Sequence, residues 1–453
     1  MMSATIALAA ALAVPTHGLI RTGERWALAT PERRAWWSVA PCCTGPGANW
    51  DSFDPKNPGY AGHRLFDTPK DWALDTQAKL KEWGFNSLAG WSEIEVFKKH
   101  GGSGRLPYFV VLHLGAYYKA PWEDMFSKEF EEAASKAAQD QIEKLKGDPY
   151  LVGYFTDNEL GWWDDTLFMH YLAMPPSAPG RRKLISLLKS RYNSFKNLKK
   201  DWITQSNTFD ELNAGGKLSL RPGSDGMQTI NAWTKTLATH YYSSMHRMVR
   251  KHDPKRMILG DRYAQYWELP VVEAAKPFVD VISTNYGADW FDGSLSRFFL
   301  DTLHELTGKP VIIGEFYMNA MQNQSGNGNT VKAFPIVETQ EQRADATARN
   351  LKELAQRPYV VGAHWFQFFD HPPKGRGDGE DNNMGLVDTM GRPYPLLTKV
   401  FKEFSWEATK PVTPQSCRTI PKFIPSHKEG LRDWPRAEGW VKPIERAAFG
   451  DLY

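Results

Sequence analysis

The feature that most constrains this chain is a rhythm. Short apolar runs rich in β-branched residues recur along its middle, separated by stretches with helical periodicity. In chain order the runs are Trp36–Ala40, Phe85–Ala89, Tyr108–Leu112, Leu151–Thr156, Met257–Asp261, Val279–Thr284, Pro310–Glu315 and Val360–Phe366. Strands that alternate with helices predict a parallel sheet crossed over by helices. Eight such strands are the number that closes a (β/α)8 TIM barrel. Several runs, FVVLHL and VIIGEF among them, are apolar at nearly every position, as parallel strands covered on both faces must be. The length of 453 residues accommodates one large barrel.

The helical stretches carry their own punctuation. Asp67-Thr68-Pro69 offers a cap followed by proline in the first turn. Ser127 to Lys146 reads as a helix stopped by Gly147-Asp148-Pro149. Thr339 to Gln342 has the spacing of a capping box, opening a helix to about Gln356. The connection from the fourth strand to the fifth, Asp157 to Arg256, is long and holds two helical patterns, near Arg181–Trp202 and Met227–His252. We read it as a helical insertion over the mouth of the barrel. Three parts follow: an N-terminal segment 1–24, the barrel 25–405, and an irregular proline-rich tail 406–453 packed on it. The opening MMSATIALAAALAVPTHG has the apolar run of a signal peptide but no basic n-region, which leaves export, to the periplasm or beyond, and cytoplasmic retention both open.

Composition narrows the function. A net charge of +3, from 55 basic and 52 acidic residues without a basic cluster, gives no electrostatic case for nucleic acid. No stretch is apolar enough to span a membrane. The three cysteines have no metal-binding spacing; one bridge from Cys417 to Cys42 or Cys43 is the pairing the sequence allows. The acidic group Asp378, Glu380, Asp381 does not match a calcium loop, and neither a metal nor a cofactor is expected. Eighteen tryptophans among 13 % aromatic residues fit a cleft that stacks on sugar rings, although large barrels also bury tryptophan.

Two segments carry the chemistry. GYFTDNEL ends the fourth strand with Asn158-Glu159, and PVIIGEF ends the seventh with Glu315. Both carboxylates fall at the C-terminal ends of strands, where barrels keep their active sites. Strands four and seven face each other across the mouth, so the two can address one bond. A charged group in such a place is costly to bury unless it is used or paired. Two carboxyls, one protonated and one ionised, are what glycoside cleavage needs. Glu159 is therefore expected as acid/base, Glu315 as nucleophile, and Asn158 as a partner for a sugar hydroxyl, the substrate being an oligo- or polysaccharide.

GYFTDNELGWW, KPVIIGEF and GAHWFQFFDHPPKGRGDGEDNNMGLVD resemble glycoside hydrolase family 50, the β-agarases, within the clan A hydrolases. Family 42 β-galactosidases are the related alternative. The likeness runs from about Arg25 to Phe401. It implies retaining hydrolysis of β-1,4 galactosyl bonds in agarose or its fragments. It also implies that Tyr286 hydrogen-bonds the nucleophile, that Trp365 is the platform beneath the cleaved sugar, and that Arg376 and Glu380 line subsites in the loop Asp370–Asp388. Read from the residues alone, that loop is either cleft lining or a solvated surface. Arg262 either holds a carboxylate or hydroxyl in the cleft or pairs with Asp261 or Glu268. His113 is either a cleft residue or a satisfied core histidine, and Trp162 and Trp163 are either a sugar platform or packing. Gln367 and His364 are candidates to reach the cleft, but strand alternation puts His364 opposite Trp365, so one of those neighbours belongs to the core.

Overall fold

A computed structural model describes residues 16–264, 267–288, 290–331 and 334–414. The chain opens with an antiparallel sheet of β1 (Gly18–Thr22), β2 (Arg25–Ala29) and β3 (Ala35–Trp36). Seven parallel strands follow: β4 (Ser38–Pro41), β5 (Tyr108–Val111), β6 (Leu151–Asn158), β7 (Met257–Tyr263), β8 (Ile282–Thr284), β9 (Val311–Phe316) and β10 (Val360–Trp365). They lie in the order β4-β10-β9-β8-β7-β6-β5, so the first strand pairs with the last and the sheet curls on itself. The first expected strand is divided: Trp36 joins the antiparallel sheet, and the curled sheet begins at Ser38.

The expected strand Phe85–Ala89 is not formed as one. Its backbone instead bridges the two edge strands: Asn86 N–H donates to Val39 O (3.0 Å), Ala89 N–H to Pro41 O (3.0 Å) and Leu88 N–H to Pro107 O (2.8 Å). The reason is Asn86, whose side chain takes over ladder positions of β4. It accepts from Val39 N–H at 2.9 Å and donates to Trp37 O at 2.8 Å. Asparagine side chains compete with a strand ladder in this way.

The concave face of the sheet is a dry core that includes Phe109, Val152, Leu259, Val281, Ile312 and Val361. Leu28 of β2 joins this cluster, and Trp26 N–H donates to Pro358 O just before β10. The antiparallel sheet therefore seals the end where the parallel strands begin, leaving the opposite end for chemistry.

Helices cover the convex face. They are α1 (Pro69–Glu82), α2 (Ile94–His100), α3 (Lys128–Leu145), α4 (Asp164–Ala173), α5 (Pro179–Tyr192), α6 (Phe195–Asp201), α7 (Phe209–Asn213), α8 (Gly226–His252), α9 (Leu269–Ala275), α10 (Arg297–Thr307), α11 (Gln340–Gln356) and α12 (Pro395–Glu403). The expected caps form, Thr68 on α1 and the full Thr339–Gln342 capping box on α11, and Ser127 caps α3 as well. The pattern Arg181–Trp202 breaks into α5 and α6 because Asn193 adopts a left-handed φ of 57° and Ser194 caps anew. Helix α8 packs between α3 and α9, the place of a crossover helix, so the inserted portion is α4 to α7. The tail turns back along the sheet's base, with Trp406 beneath the Arg25 guanidinium and Val412 N–H bonded to Gln356 O. The apolar opening run through residue 15 and Cys417 lie outside the described residues. Among those described, no helix is long and apolar enough to cross a membrane.

Asn86 makes two of the side-chain bonds that tie residues 86–89 to β4, beside those of Ser87 to Ser38 and Val39, so Asn86→Ala is expected to destabilise the protein. The loss should be about 1–3 kcal/mol, two hydrogen bonds at roughly 1 kcal/mol each or somewhat more. Urea unfolding would show it as a lower midpoint with an unchanged slope.

Candidate active site

The C-terminal ends of β6, β7, β8 and β9 converge on one point. Glu159 directly follows β6, and its N–H donates to the Arg262 carbonyl on β7 at 2.9 Å. Asn285 follows β8 and Glu315 lies in β9. The Asn285 side-chain amide donates to Asn158 Oδ1 (2.9 Å), Glu159 Oε1 (2.8 Å) and Glu315 Oε1 (3.1 Å). The two acidic oxygens thus share one nitrogen and can be no further apart than those two distances laid end to end, about 6 Å.

A register irregularity aims Glu315. Ile312 belongs to the concave core, so strict alternation would turn Glu315 toward the helices. The ladder between β9 and β10 slips between Ile313 and Phe316. Phe316 consequently faces the helices, edge-on to Trp365 and near Phe401, and Glu315 turns to the mouth. Bulges re-aim side chains beside active sites in this manner.

Arg262 is fully buried and holds the Glu315 carboxylate at 2.9 Å, with a second bond from the same guanidinium to Gly314 O at 3.0 Å. Glu315 rather than Asp261 or Glu268 is the acid it pairs in the cleft. Burial pushes the Glu315 carboxyl up, to about 8, and the Arg262 cation opposes this; the Glu159 and Glu380 carboxylates add to the rise, and Arg376 opposes it. Arg376 and Glu380 form an ion pair of 2.8 Å in the loop after β10. That loop is rooted in the interior, where Asp370, His371, Asn382 and Asn383 are completely buried, and is exposed at its tip, Gly377 to Gly379. Asn158 takes part through Asn285, as described.

His113 sits at the rim, half-buried, with its Nε2 accepting from the Trp91 indole N–H at 2.9 Å. Burial, then the Arg262 charge, hold its imidazole below the ordinary value, which keeps it a neutral acceptor. Trp91 itself escaped the sequence reading. It is exposed, and the Arg262 guanidinium lies 4.1 Å over its ring. Asn285 was missed as well, overshadowed by its neighbour Tyr286.

Other expected residues lie elsewhere. Trp365 is wholly buried between Phe316 and Phe401, and its indole N–H is spent on Met384 O at 2.8 Å. It offers no face to a sugar, a correction that follows from its pointing to the helical side of β10. His364, on the other side, bonds Ser38 Oγ within the concave core. Gln367 turns its amide onto Phe369 O. The Tyr286 hydroxyl accepts from Ser296 N–H and its ring stacks on Phe299 at 4.1 Å. Trp162 is packing: it is buried against Tyr241 and donates to Asp261. Trp163 packs on Trp122. Among the described residues Cys42 and Cys43 are unbridged, and no group of three or more metal-ligating side chains occurs.

A helix-covered, curled parallel sheet with its polar groups gathered at the strands' C-terminal ends defines an α/β protein of the TIM-barrel-like class. Comparison with known proteins is more specific. The sequence is 30 % identical over 368 residues to β-agarase A of Vibrio sp. (strain JT0107) and 26 % identical over 360 residues to β-agarase B of the same strain, covering 74 % and 76 % of this chain. The chain spans little more than a third of those relatives, 36 % and 37 % of their lengths. No protein-family model matches it. Among solved structures, the agarase AgWH50C superposes with a TM-score of 0.72 at 22 % identity, covering 88 % of this chain and 65 % of that one. An exo-β-agarase gives the same TM-score and identity over 86 % and 65 %. Over most of its own length the chain is thus similar in sequence to β-agarases and in fold to solved agarase structures.

Gly314 is what lets this centre assemble. A Cβ there would lie 2.6 Å from Asn285 Oδ1 and 2.6 Å from the Arg262 Cδ, both buried and held. Gly314→Ala is expected to cost about 1–3 kcal/mol of stability as overpacking, and to cut turnover by about a hundredfold or more, since small misplacements in an active site are that costly. Wild-type turnover in a folded Gly314→Ala protein would show that the two side chains need not converge there.

Proposed function

We propose that the chain is a retaining glycoside hydrolase that cleaves β-1,4 galactosyl bonds of agarose or its oligosaccharides. We further propose that it does so on a closed (β/α)8 barrel whose eighth stave is the segment 86–89. The observation that carries the reading is the pair of carboxyls on the Asn285 amide. The bound of about 6 Å between these two oxygens is compatible with the roughly 5–5.5 Å between the carboxyls of retaining enzymes. The β-agarase relatives supply the substrate class, galactan, and the extracellular setting of such a polymer fits an exported enzyme.

The steps follow from the geometry. Both Arg262 and Asn285 engage Oε1 of Glu315, so Oε2 is the oxygen left to attack. It bonds the anomeric carbon as the glycosidic C–O bond breaks. The bonding pair leaves with the sugar oxygen, which takes a proton from Glu159. Glu159, now a carboxylate, removes a proton from water; the hydroxide displaces Glu315, and the sugar departs with its configuration retained. Trp91, exposed beside the pair, is the aromatic face available to a sugar ring. Arg376 and Glu380 border the same space and are assigned to substrate binding with His113 and Asn158. Tyr286 and Gln367 are assigned as supports of the strand ends rather than as sugar contacts.

Incubation with agarose, neoagaro-oligosaccharides and lactose tests the reading. Galactan fragments from wild type and none from Glu315→Ala are expected, with azide restoring turnover of the variant as a glycosyl azide. Products from lactose alone would move the enzyme to the β-galactosidases. Glu159→Ala should slow substrates with poor leaving groups far more than activated aryl glycosides; equal loss on both would remove it from the acid role. Attack needs ionised Glu315, so activity is lost as pH falls through its pKa. Arg262 holds that value down. Arg262→Ala is therefore expected to move the acidic limb of kcat/KM upward by about one unit or more, and an unmoved limb would contradict the pairing.

A further inference from the structure

We infer that Asn285 is the positioning residue that selects, in each carboxyl, which oxygen does the chemistry. This rests on the roles proposed above for Glu159 and Glu315. The Asn285 nitrogen has two hydrogens and three acceptors within 3.1 Å: Asn158 Oδ1, Glu159 Oε1 and Glu315 Oε1. Its side chain is 1 % exposed, so water does not compete for those hydrogens.

An amide N–H donates and cannot accept. Glu159 Oε1, engaged as an acceptor, is thereby kept free of its proton, and the transferable proton sits on Oε2. Glu315 Oε1 receives both the Asn285 amide and the Arg262 guanidinium, so its lone pairs are spent and Oε2 is the attacking atom. One amide thus sets the orientation of both carboxyls and limits their separation. The anchoring of Asn285 is consistent with that task. Among the described residues its Oδ1 has no hydrogen-bond partner and, with the Arg262 side chain, crowds the space over Gly314, where a Cβ would meet both at 2.6 Å. The amide is therefore held by what its nitrogen donates to, and by steric closure beneath.

Removing it has two separable consequences. Each carboxyl can rotate about its terminal torsion, which is soft, so catalysis suffers while substrate binding through other residues persists. A donor that favours ionised Glu315 is also lost, so its pKa rises. The remaining charged and titratable groups facing Glu315 are Arg262, Arg376, Glu159, Glu380 and the Cys42 and Cys43 thiols, all unchanged by the substitution.

The experiment compares wild type, Asn285→Ala and Asn285→Asp on neoagaro-oligosaccharides, recording kcat, KM and the pH profile of kcat/KM, with thermal melts of each protein. Asn285→Ala is expected to lower kcat by about tenfold to a hundredfold, the scale of a hydrogen bond to a charged group, with KM changed by a few-fold at most and the acidic limb at higher pH. Asn285→Asp keeps the shape but accepts where the amide donated. It should lower kcat further and shift the limb more, and it serves alone if the alanine variant does not fold. A folded variant with wild-type kcat and an unmoved acidic limb overturns the inference while leaving the hydrolase reading intact. A loss of kcat with an unmoved limb also overturns it, because that is what a merely structural residue would give. Wild type that releases no galactosyl product overturns the reading of the site itself.

Discussion

The site depends on one buried ion pair. Arg262 is fully buried and Glu315 nearly so, with nitrogen and oxygen 2.9 Å apart. Desolvating two such charges costs several kcal/mol each, and their attraction offsets this only when geometry is good and remaining hydrogen bonds are met. Here Arg262 also bonds Gly314 O and lies over Trp91, and Glu315 also receives Asn285. A cation confined under Glu315 favours its carboxylate against burial. The same cation lowers His113, so the rim histidine stays a neutral acceptor. Stability is spent at this point to fix the charge state of one oxygen.

The mouth is strained elsewhere too. Cys43, Trp91, His113 and Glu159 all have φ between 52° and 58°, left-handed values that non-glycine residues rarely adopt. Each follows a strand, or the segment 86–89, at the sheet's C-terminal edge. Such residues cost about 1–3 kcal/mol apiece and persist where the surroundings over-determine them. For Glu159 the determinant is the bond from its N–H to the Arg262 carbonyl. The residue that binds Glu315 by its side chain therefore anchors Glu159 by its backbone.

How legible this was in the sequence differs by level. The strands around FVVLHL and VIIGEF declared themselves because both of their faces are buried, and the caps on α1 and α11 because their side chains act within one turn. Phe85–Ala89 looked like its neighbours but carries Asn86, whose side chain replaces the ladder it would have made. Glu159 and Glu315 stood out because carboxylates at the ends of apolar strands are costly without a use, and the structure brings both to the Asn285 amide. Trp365 was not, because a strand covered on both faces has two core sides and periodicity cannot say which opens on the mouth. Arg262's partner lies 53 residues away on another strand, and Asn285 acts across four elements; no local pattern encodes either.

Strand alternation is a reliable guide only while the ladder is regular, and the ladder slips where the site is built: within β6 against β7, and between Ile313 and Phe316 in β9. A regular β9 would have given Glu315 to the helices and Phe316 to the mouth. The slip exchanges them, sending an aromatic ring to the apolar layer and a carboxylate to the polar one, which lowers the cost of both. Regular pairing holds the sealed end, where the dry core and the antiparallel sheet meet; irregular pairing shapes the open end. The site is therefore placed by departures from the same rule that builds the sheet beneath it.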